Sequence, residues 1–298
     1  MKSDKKTWII KDLLPVSIDF LKEKNIESAR LCAEILLARQ LNTDRLKLYL
    51  EYDQPVGEKD LDQYRAMIKR LIDGEPLQYI TGIQEFWSMD FIVNSSVLIP
   101  RPETEILIEQ AIKVYNEYFR EYTGNISILD IGTGSGAIAL AIASEIENAE
   151  ITAVDISQPA LETAKKNAEK HELTDRVRFT YGDLFEPFKE TQQNFDIILS
   201  NPPYVTTGEY ESLPVKIKNF EPKTALVGDE DGLCYIRTII TEAHAFLCPG
   251  GWLMLEMAPD QIEKSAGMIR ESSKYTDKHI IKDYNNKDRV LVARNKIY

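Results

Sequence analysis

Little in this sequence suggests a covalent scaffold. The three cysteines, Cys32, Cys234 and Cys248, show no CxxC or Cys/His spacing, which argues against a disulfide framework and a structural zinc site and for no metal at all. Free thiols suit a reducing cytosol. Positive charge is scarce too, with 36 Lys and Arg against 48 Asp and Glu and a formal net charge of −12. No overall positive field draws in a phosphate backbone, so direct nucleic-acid binding is not expected, short of a local basic patch. No window of about 18 uninterrupted apolar residues occurs, so no spanning helix and no membrane partner are expected. Lys2, Asp4, Lys5 and Lys6 precede an apolar stretch broken by Lys11 and Asp12, which does not match a signal peptide. A cytoplasmic protein is expected. Internal repeats and low-complexity tracts are absent.

What is present is enough apolar residue, 43% of 298, to bury a large core, with one large and one smaller domain as the natural division. From about 6 to 75, apolar positions such as Ile9, Leu13, Ile18 and Leu21, then Ala33, Leu36, Leu37 and Leu41, recur at helical intervals. Asn25 with Glu27, and Thr43 with Asp44, read as helix starts, and Gly74 with Pro76 as the last stop. Between about 84 and 100, aromatic and β-branched residues around Asn94-Ser95-Ser96 predict a hairpin joining the domains. Pro102, Glu103 and Glu105 fit the first turn of a helix running to about 121. Strands near 126–131, 151–155, 176–181 and 195–200 alternate with helices near 136–147 and 158–171, the rhythm of βαβ units. Further strands near 251–257, 278–284 and 288–294 end in a tight turn at Asn285-Asn286-Lys287, which requires an antiparallel final pair. The fold class is therefore α/β with a mixed sheet.

The first of these strands, ending at Asp130-Ile131, runs into Gly132-Thr133-Gly134-Ser135-Gly136 and an apolar helix. Three glycines at alternate positions let the backbone turn sharply against a ligand at a helix N-terminus. The spacing is GxGxG, not GxGxxG, and an acid precedes it, which points away from a dinucleotide pyrophosphate. S-adenosylmethionine fits better: the loop amides would face its carboxylate, and Asp130 would attract its ammonium group. Asp155, at the tip of the next strand, can accept both ribose hydroxyls or can simply cap the helix after it. Asp183 with Leu184 can meet the adenine or form an ordinary turn.

The strand 195–200 delivers Asn201-Pro202-Pro203-Tyr204 to the sheet's carboxyl edge, where ligands of such folds gather. Two prolines fix φ and remove donors. A nitrogen with two hydrogens can donate one to the Asn201 oxygen and one to the Pro202 carbonyl, while Tyr204 stacks on its plane. Pulling those hydrogens out of plane would restore a lone pair that an amide otherwise delocalises and aim it at the sulfonium methyl. His171, His244 and His279 have no evident part in this.

With these residues in view, the sequence resembles the HemK/PrmC family, bacterial peptide chain release factor N5-glutamine methyltransferases. The resemblance covers nearly the whole chain. It rests on residues 75–82 (EPLQYITG), 97–105 (VLIPRPETE), the glycine loop, Asn201 to Tyr204, and Glu221-Pro222 ahead of Ala225-Leu226 and Asp231-Gly232-Leu233. It implies a class I, Rossmann-like, seven-stranded S-adenosylmethionine-dependent methyltransferase with the last strand antiparallel and a small N-terminal helical domain. It further implies S-adenosylhomocysteine as product and class I release factors, modified at the glutamine of a Gly-Gly-Gln loop, as partners. The domains implied are 1–82 for docking, 83–100 as a hairpin linker and 101–298 for catalysis. Carried over, the glycine loop, Asp130, Asp155, Asp183 and Leu184 become cofactor contacts. Asn201, which also borders the cofactor, and Pro202 and Tyr204 become catalytic, with Pro203 completing the glutamine site. Arg101 and Glu103 either close the pocket or, for Glu103, serve as an acid in a helix's first turn.

Three positions depart from the family pattern: Met257-Ala258 after Glu256, Asp229 where a second glycine is common, and Asn286 where glycine is usual. Asparagine tolerates positive φ, so the last is expected to be silent. A ribosomal-protein glutamine is the nearest alternative substrate. An adenine-N6 nucleic-acid methyltransferase and a non-catalytic cofactor-binding module are more distant ones.

Overall fold

The computed structural model describes residues 7–191 and 193–297, so Lys2, Asp4, Lys5 and Lys6 lie outside the described residues. The chain divides into two compact units, one ending at Gly82 and one beginning at Ile83.

The first unit is helical: α1 (Ile10–Glu23), α2 (Ala29–Gln40), α3 (Arg45–Leu50), α4 (Glu58–Ile72) and α5 (Leu77–Thr81). Leu14, Leu21, Ala33, Leu36, Leu37, Leu48 and Tyr64 form its dry centre. Asn25 does not start α2. At φ 56° it closes α1, its amide bonding to the Lys22 carbonyl at 2.9 Å, and α2 begins only after Ser28. Asparagine's tolerance of left-handed backbone serves the helix end here. Asp44 does cap α3, accepting the Lys47 amide at 2.8 Å. Gly74, at φ 94°, follows α4.

The second unit opens with the antiparallel hairpin β1 (Ile83–Phe86) and β2 (Met89–Ile92). Its turn is Trp87-Ser88, both at positive φ, and not the expected Asn94-Ser95-Ser96. Neither residue favours that conformation. Tertiary bonds hold it: the Trp87 amide donates to Glu105 at 2.9 Å and the indole N–H to Glu145 at 2.8 Å. Asn94 instead makes a local turn, accepting the Ser96 amide at 2.8 Å. A short 3₁₀ turn at Pro102–Thr104 leads into α6 (Glu105–Val114), which a π-turn extends to Phe119.

Then follow β3 (Ile126–Ile131), α7 (Ala137–Glu145), β4 (Ala149–Asp155), α8 (Gln158–Lys170), β5 (Val177–Tyr181), β6 (Phe195–Ser200), α9 (Thr207–Ser212), α10 (Val215–Lys218), α11 (Cys234–Glu242), β7 (Leu247–Glu256), α12 (Ile262–Ser272), β8 (Tyr275–Lys282) and β9 (Asp288–Asn295). The seven strands β3 to β9 lie in the order β5-β4-β3-β6-β7-β9-β8. β9 runs antiparallel to β7 and β8, as the short turn between β8 and β9 requires. β7 starts earlier than expected because Pro249 and the two glycines after it do not end the strand. They lie where its register against β6 shifts. From β3 the chain steps outward through β4 to β5 and then crosses back to β6 on the other side of β3, and this switch point leaves a crevice at the strand ends.

Candidate active site

The loop after β3 turns through Gly132, Gly134 and Gly136, all at positive φ. A Cβ on Gly136 would come within 3.2 Å of the Ala164 Cβ, so this glycine lets α8 pack closely, whereas one on Gly132 would meet no atom within 4 Å. The loop amides do not stand free as expected. Those of Gly132 and Thr133 bond to the Val154 carbonyl at 2.8 and 3.1 Å, that of Gly136 to the Thr133 carbonyl at 2.8 Å, and that of Gly134 to the Asp155 carboxylate at 2.8 Å. β4 braces the loop, which offers bare backbone more than donors.

Asp130 is fully buried beneath this loop. Its Oδ2 accepts the Thr133 hydroxyl at 2.7 Å, while its Oδ1 has no hydrogen-bond partner among the described residues. Burial pushes its carboxyl up to about 7, against the Thr133 hydroxyl and the Ala139 amide, with the Asp155 charge adding to the rise. Asp155 is also raised by burial, opposed by the amides of Ser157, Gly134 and Ile156.

Gly132, Gly134, Asp155, Asp183, Leu184, Asn201, Pro202 and Pro203 line one cleft. Asp130, Thr133, Ser135, Gly136 and Tyr204 do not line it. The first four support its floor from within. Tyr204 packs its ring against the core, and burial pushes its hydroxyl up to about 12. Its expected stacking on the acceptor is not what this geometry presents. The Tyr204 carbonyl is anchored instead, accepting the Gln261 side-chain amide at 2.8 Å. The turn is packed so closely that a Cβ on Gly228 would collide with the Pro203 carbonyl and one on Gly232 with that of Tyr204.

Sequence reasoning missed Ile156, Tyr235 and residues 96–98, which also border the cleft. Ile156 carried a signal in its place directly after a strand-end acid, and the structure leaves it 57% exposed, which suits an apolar base face. It missed Thr104 as well, whose hydroxyl accepts the Asn201 Nδ2 at 3.1 Å. Arg101 pairs with the buried Glu221 at 2.5 Å, and Glu221 also accepts the Ile99 amide at 3.3 Å. Two motifs far apart in sequence are thus halves of one contact, which ties the segment before α6 to the Pro222, Thr224 and Ala225 wall of the cleft. Asp229 holds φ 85°, which explains why glycine is common there: the backbone shape persists and the aspartate bears the strain. Asn286 takes the left-handed φ of 61° that asparagine tolerates. His171, His244 and His279 do not line the cleft.

A β-sheet switch point carrying a glycine turn, a buried acid with an unpartnered oxygen and a second acid at the next strand tip is the arrangement of a nucleoside-binding α/β fold. Residues 123–292 match the model of a methyltransferase domain family, whose members take the methyl group from S-adenosylmethionine. Residues 12–82 match that of the PrmC N-terminal domain. The release factor glutamine methyltransferase of Geobacter sulfurreducens is 40% identical, over 96% of this chain and 97% of its own length. That of Rhodopirellula baltica is 39% identical, over 95% of each. The chain belongs to the release factor glutamine methyltransferase family. Among solved structures, a T. thermophilus 16S rRNA methyltransferase in complex with AdoMet and guanosine shares 20% identity at a TM-score of 0.50, over 72% of this chain and 50% of its own; that likeness concerns the fold alone. No helix among the described residues is long and apolar enough to cross a membrane.

Proposed function

We propose that this enzyme methylates the side-chain amide nitrogen of the glutamine in the Gly-Gly-Gln motif of class I peptide chain release factors. One observation carries the reading: Asn201, bonded through Nδ2 to Thr104, stands with Pro202 in the same cleft as Asp155 and Asp183. An acceptor for an amide N–H and a nucleoside site therefore share one space. The names of the relatives support the substrate.

The residues fit the cofactor. S-adenosylmethionine supplies an electrophilic methyl on a sulfonium. Asp130, from beneath the glycine loop, would attract its ammonium through a water, Asp155 would take the ribose hydroxyls, and Ile156 with Leu184 and Asp183 the adenine. Asn201 Oδ1 and the Pro202 carbonyl accept the two amide hydrogens of the glutamine, which turns its nitrogen lone pair toward the methyl. The N–C bond forms as the C–S bond breaks, and the cationic nitrogen then sheds a proton readily. No metal enters this scheme. Pro203 stiffens the corner, and Tyr204 anchors it through its carbonyl. The helical unit ending at Gly82 would dock the protein substrate. A substrate that acts in translation implies a cytoplasmic enzyme.

Incubation with methyl-labelled cofactor, a release factor, its Gln-to-Ala loop variant and duplex DNA tests this. Label is expected on the unaltered release factor alone. Label on DNA, or equal label on both protein forms, overturns the assignment.

A further inference from the structure

Asn167, on α8, is fully buried, and both of its N–H donors and its oxygen are engaged. Oδ1 accepts the Ile92 amide at 2.6 Å, and Nδ2 donates to the Ile92 carbonyl at 3.0 Å and to the Ser135 carbonyl at 2.8 Å. The carboxamide meets Ile92 as the backbone of a neighbouring strand would, through one N–H and one C=O. Its remaining bond reaches the glycine loop, which is thus held from two sides. β4 takes the loop's amides through Val154 and Asp155, and α8 takes the Ser135 carbonyl. Ala164, from the preceding turn of α8, closes on Gly136, where a Cβ would come within 3.2 Å of its own.

The strand that Asn167 holds leads into the cleft. Successive turns of α8 meet alternate residues of β2 and its continuation: Lys170 donates to the Asp90 carbonyl at 2.6 Å, Asn167 pairs with Ile92, and the Asn94 side-chain amide donates to the Thr163 hydroxyl at 3.0 Å. The match follows from spacing, since two strand residues advance about 6.6 Å and one helical turn about 5.4 Å. Beyond Asn94 the chain supplies Ser96, Val97 and Leu98 to the same cleft that Gly132 and Gly134 line. Asn167 itself does not line it.

We propose that Asn167 is a positioning residue for the cofactor: its carboxamide fixes the glycine loop against the strand that feeds residues 96–98, so that both walls are set before S-adenosylmethionine binds. The inference rests on the reading of this cleft as the cofactor site. A loop that offers bare backbone binds well only if it is already in place. Without the Asn167 side chain, the Ser135 carbonyl and both backbone groups of Ile92 lose a buried partner, and the chain must move to find others. Affinity then falls in proportion to the fraction of molecules that keep the competent loop. Turnover at saturation does not, because in the proposed scheme Asn201 and Pro202 hold the acceptor.

The test measures S-adenosylmethionine Kd by calorimetry, kcat and KM with a release factor as substrate, and Tm, for the wild type, Asn167→Ala and Tyr275→Phe. Tyr275→Phe is the control for lost stability alone: it removes a buried hydroxyl's bond to the Ile240 carbonyl, 2.8 Å long, from a residue that does not line the cleft. Asn167→Ala should raise cofactor Kd roughly tenfold, the scale of one buried hydrogen bond, at wild-type kcat when both substrates saturate. Tyr275→Phe should lower Tm at unchanged Kd. Wild-type Kd in Asn167→Ala, or a matching rise in Tyr275→Phe, overturns the inference. A further measurement needs no variant: saturating cofactor should slow hydrogen exchange at the Ile92 amide, which lies outside the cleft and is linked to the loop through Asn167. If Asn167→Ala does not fold, that exchange decides alone, and a rate indifferent to cofactor counts against the inference. Failure of the wild type to bind S-adenosylmethionine would sink the cofactor reading itself, whereas binding that ignores the variant sinks only this one.

Discussion

Asn201 reaches the cleft as the residue after a strand, yet its carboxamide is oriented by Thr104, 97 positions earlier. The asparagine was legible because a rigid acceptor-rich corner at a strand end has a local signature. The threonine was not, since only the fold brings it there. Asn201→Ala should lower kcat by roughly 10² to 10³-fold, the usual cost of one preorganised transition-state hydrogen bond. Cofactor Kd should stay nearly intact, as single-turnover kinetics and titration calorimetry would show. The opposite sense is expected of Asp155, which lines the cleft beside the glycine loop and accepts the Gly134 amide. Asp155→Ala should weaken S-adenosylmethionine binding by roughly 10- to 100-fold. Unchanged affinity would remove Asp155 from the ribose site.

At the level of elements, the turn after β6 is held by backbone that approaches too closely for side chains. Gly232 is at positive φ with no room for a Cβ beside the Tyr204 carbonyl or the Gln261 amide. Gly232→Ala must therefore displace the anchor of the Asn-Pro-Pro-Tyr turn and add about 1–2 kcal/mol of left-handed backbone strain. It should cost more in kcat than thermal stability alone predicts, measurable by comparing rates well below Tm. Normal turnover at a lowered Tm would show the turn to be independent of that anchor. Elements whose ends follow from local chemistry were read closely, β3 and β6 among them. The β1–β2 turn escaped because Trp87 and Ser88 are forced into positive φ by Glu105 and Glu145, partners remote in sequence.

Across the whole molecule, the active site is placed by strand order and carries two buried acids that cost stability. Asp130 and Glu256 are both pushed up to about 7, chiefly by burial. Each binds its proton more tightly folded than unfolded, so stability falls as pH rises from the ordinary carboxyl range through about 7, and the loss is complete above it. Asp130→Asn keeps the shape and the acceptor for Thr133 while removing that charge. The variant should melt a few degrees higher than wild type at pH 8, and close to it near pH 4, while binding S-adenosylmethionine more weakly. A melting difference independent of pH would mean that Asp130 is not ionised at the cost described. Such a trade of stability for binding is common where a site must keep a charge in dry surroundings.

The sequence by itself determined the alternation of strands and helices, the glycine turn, the acids at two strand tips and the rigid corner at 201–204. These depend on periodicity, on positive φ and on proline, which act within a few residues. Only the tertiary structure decided that four of the loop amides are bonded within the protein, that Tyr204 packs against the core, that Arg101 answers Glu221, and that Thr104 stands behind Asn201. Those are contacts between segments as much as 120 residues apart, set by which strands lie next to each other; local propensity carries no information about them.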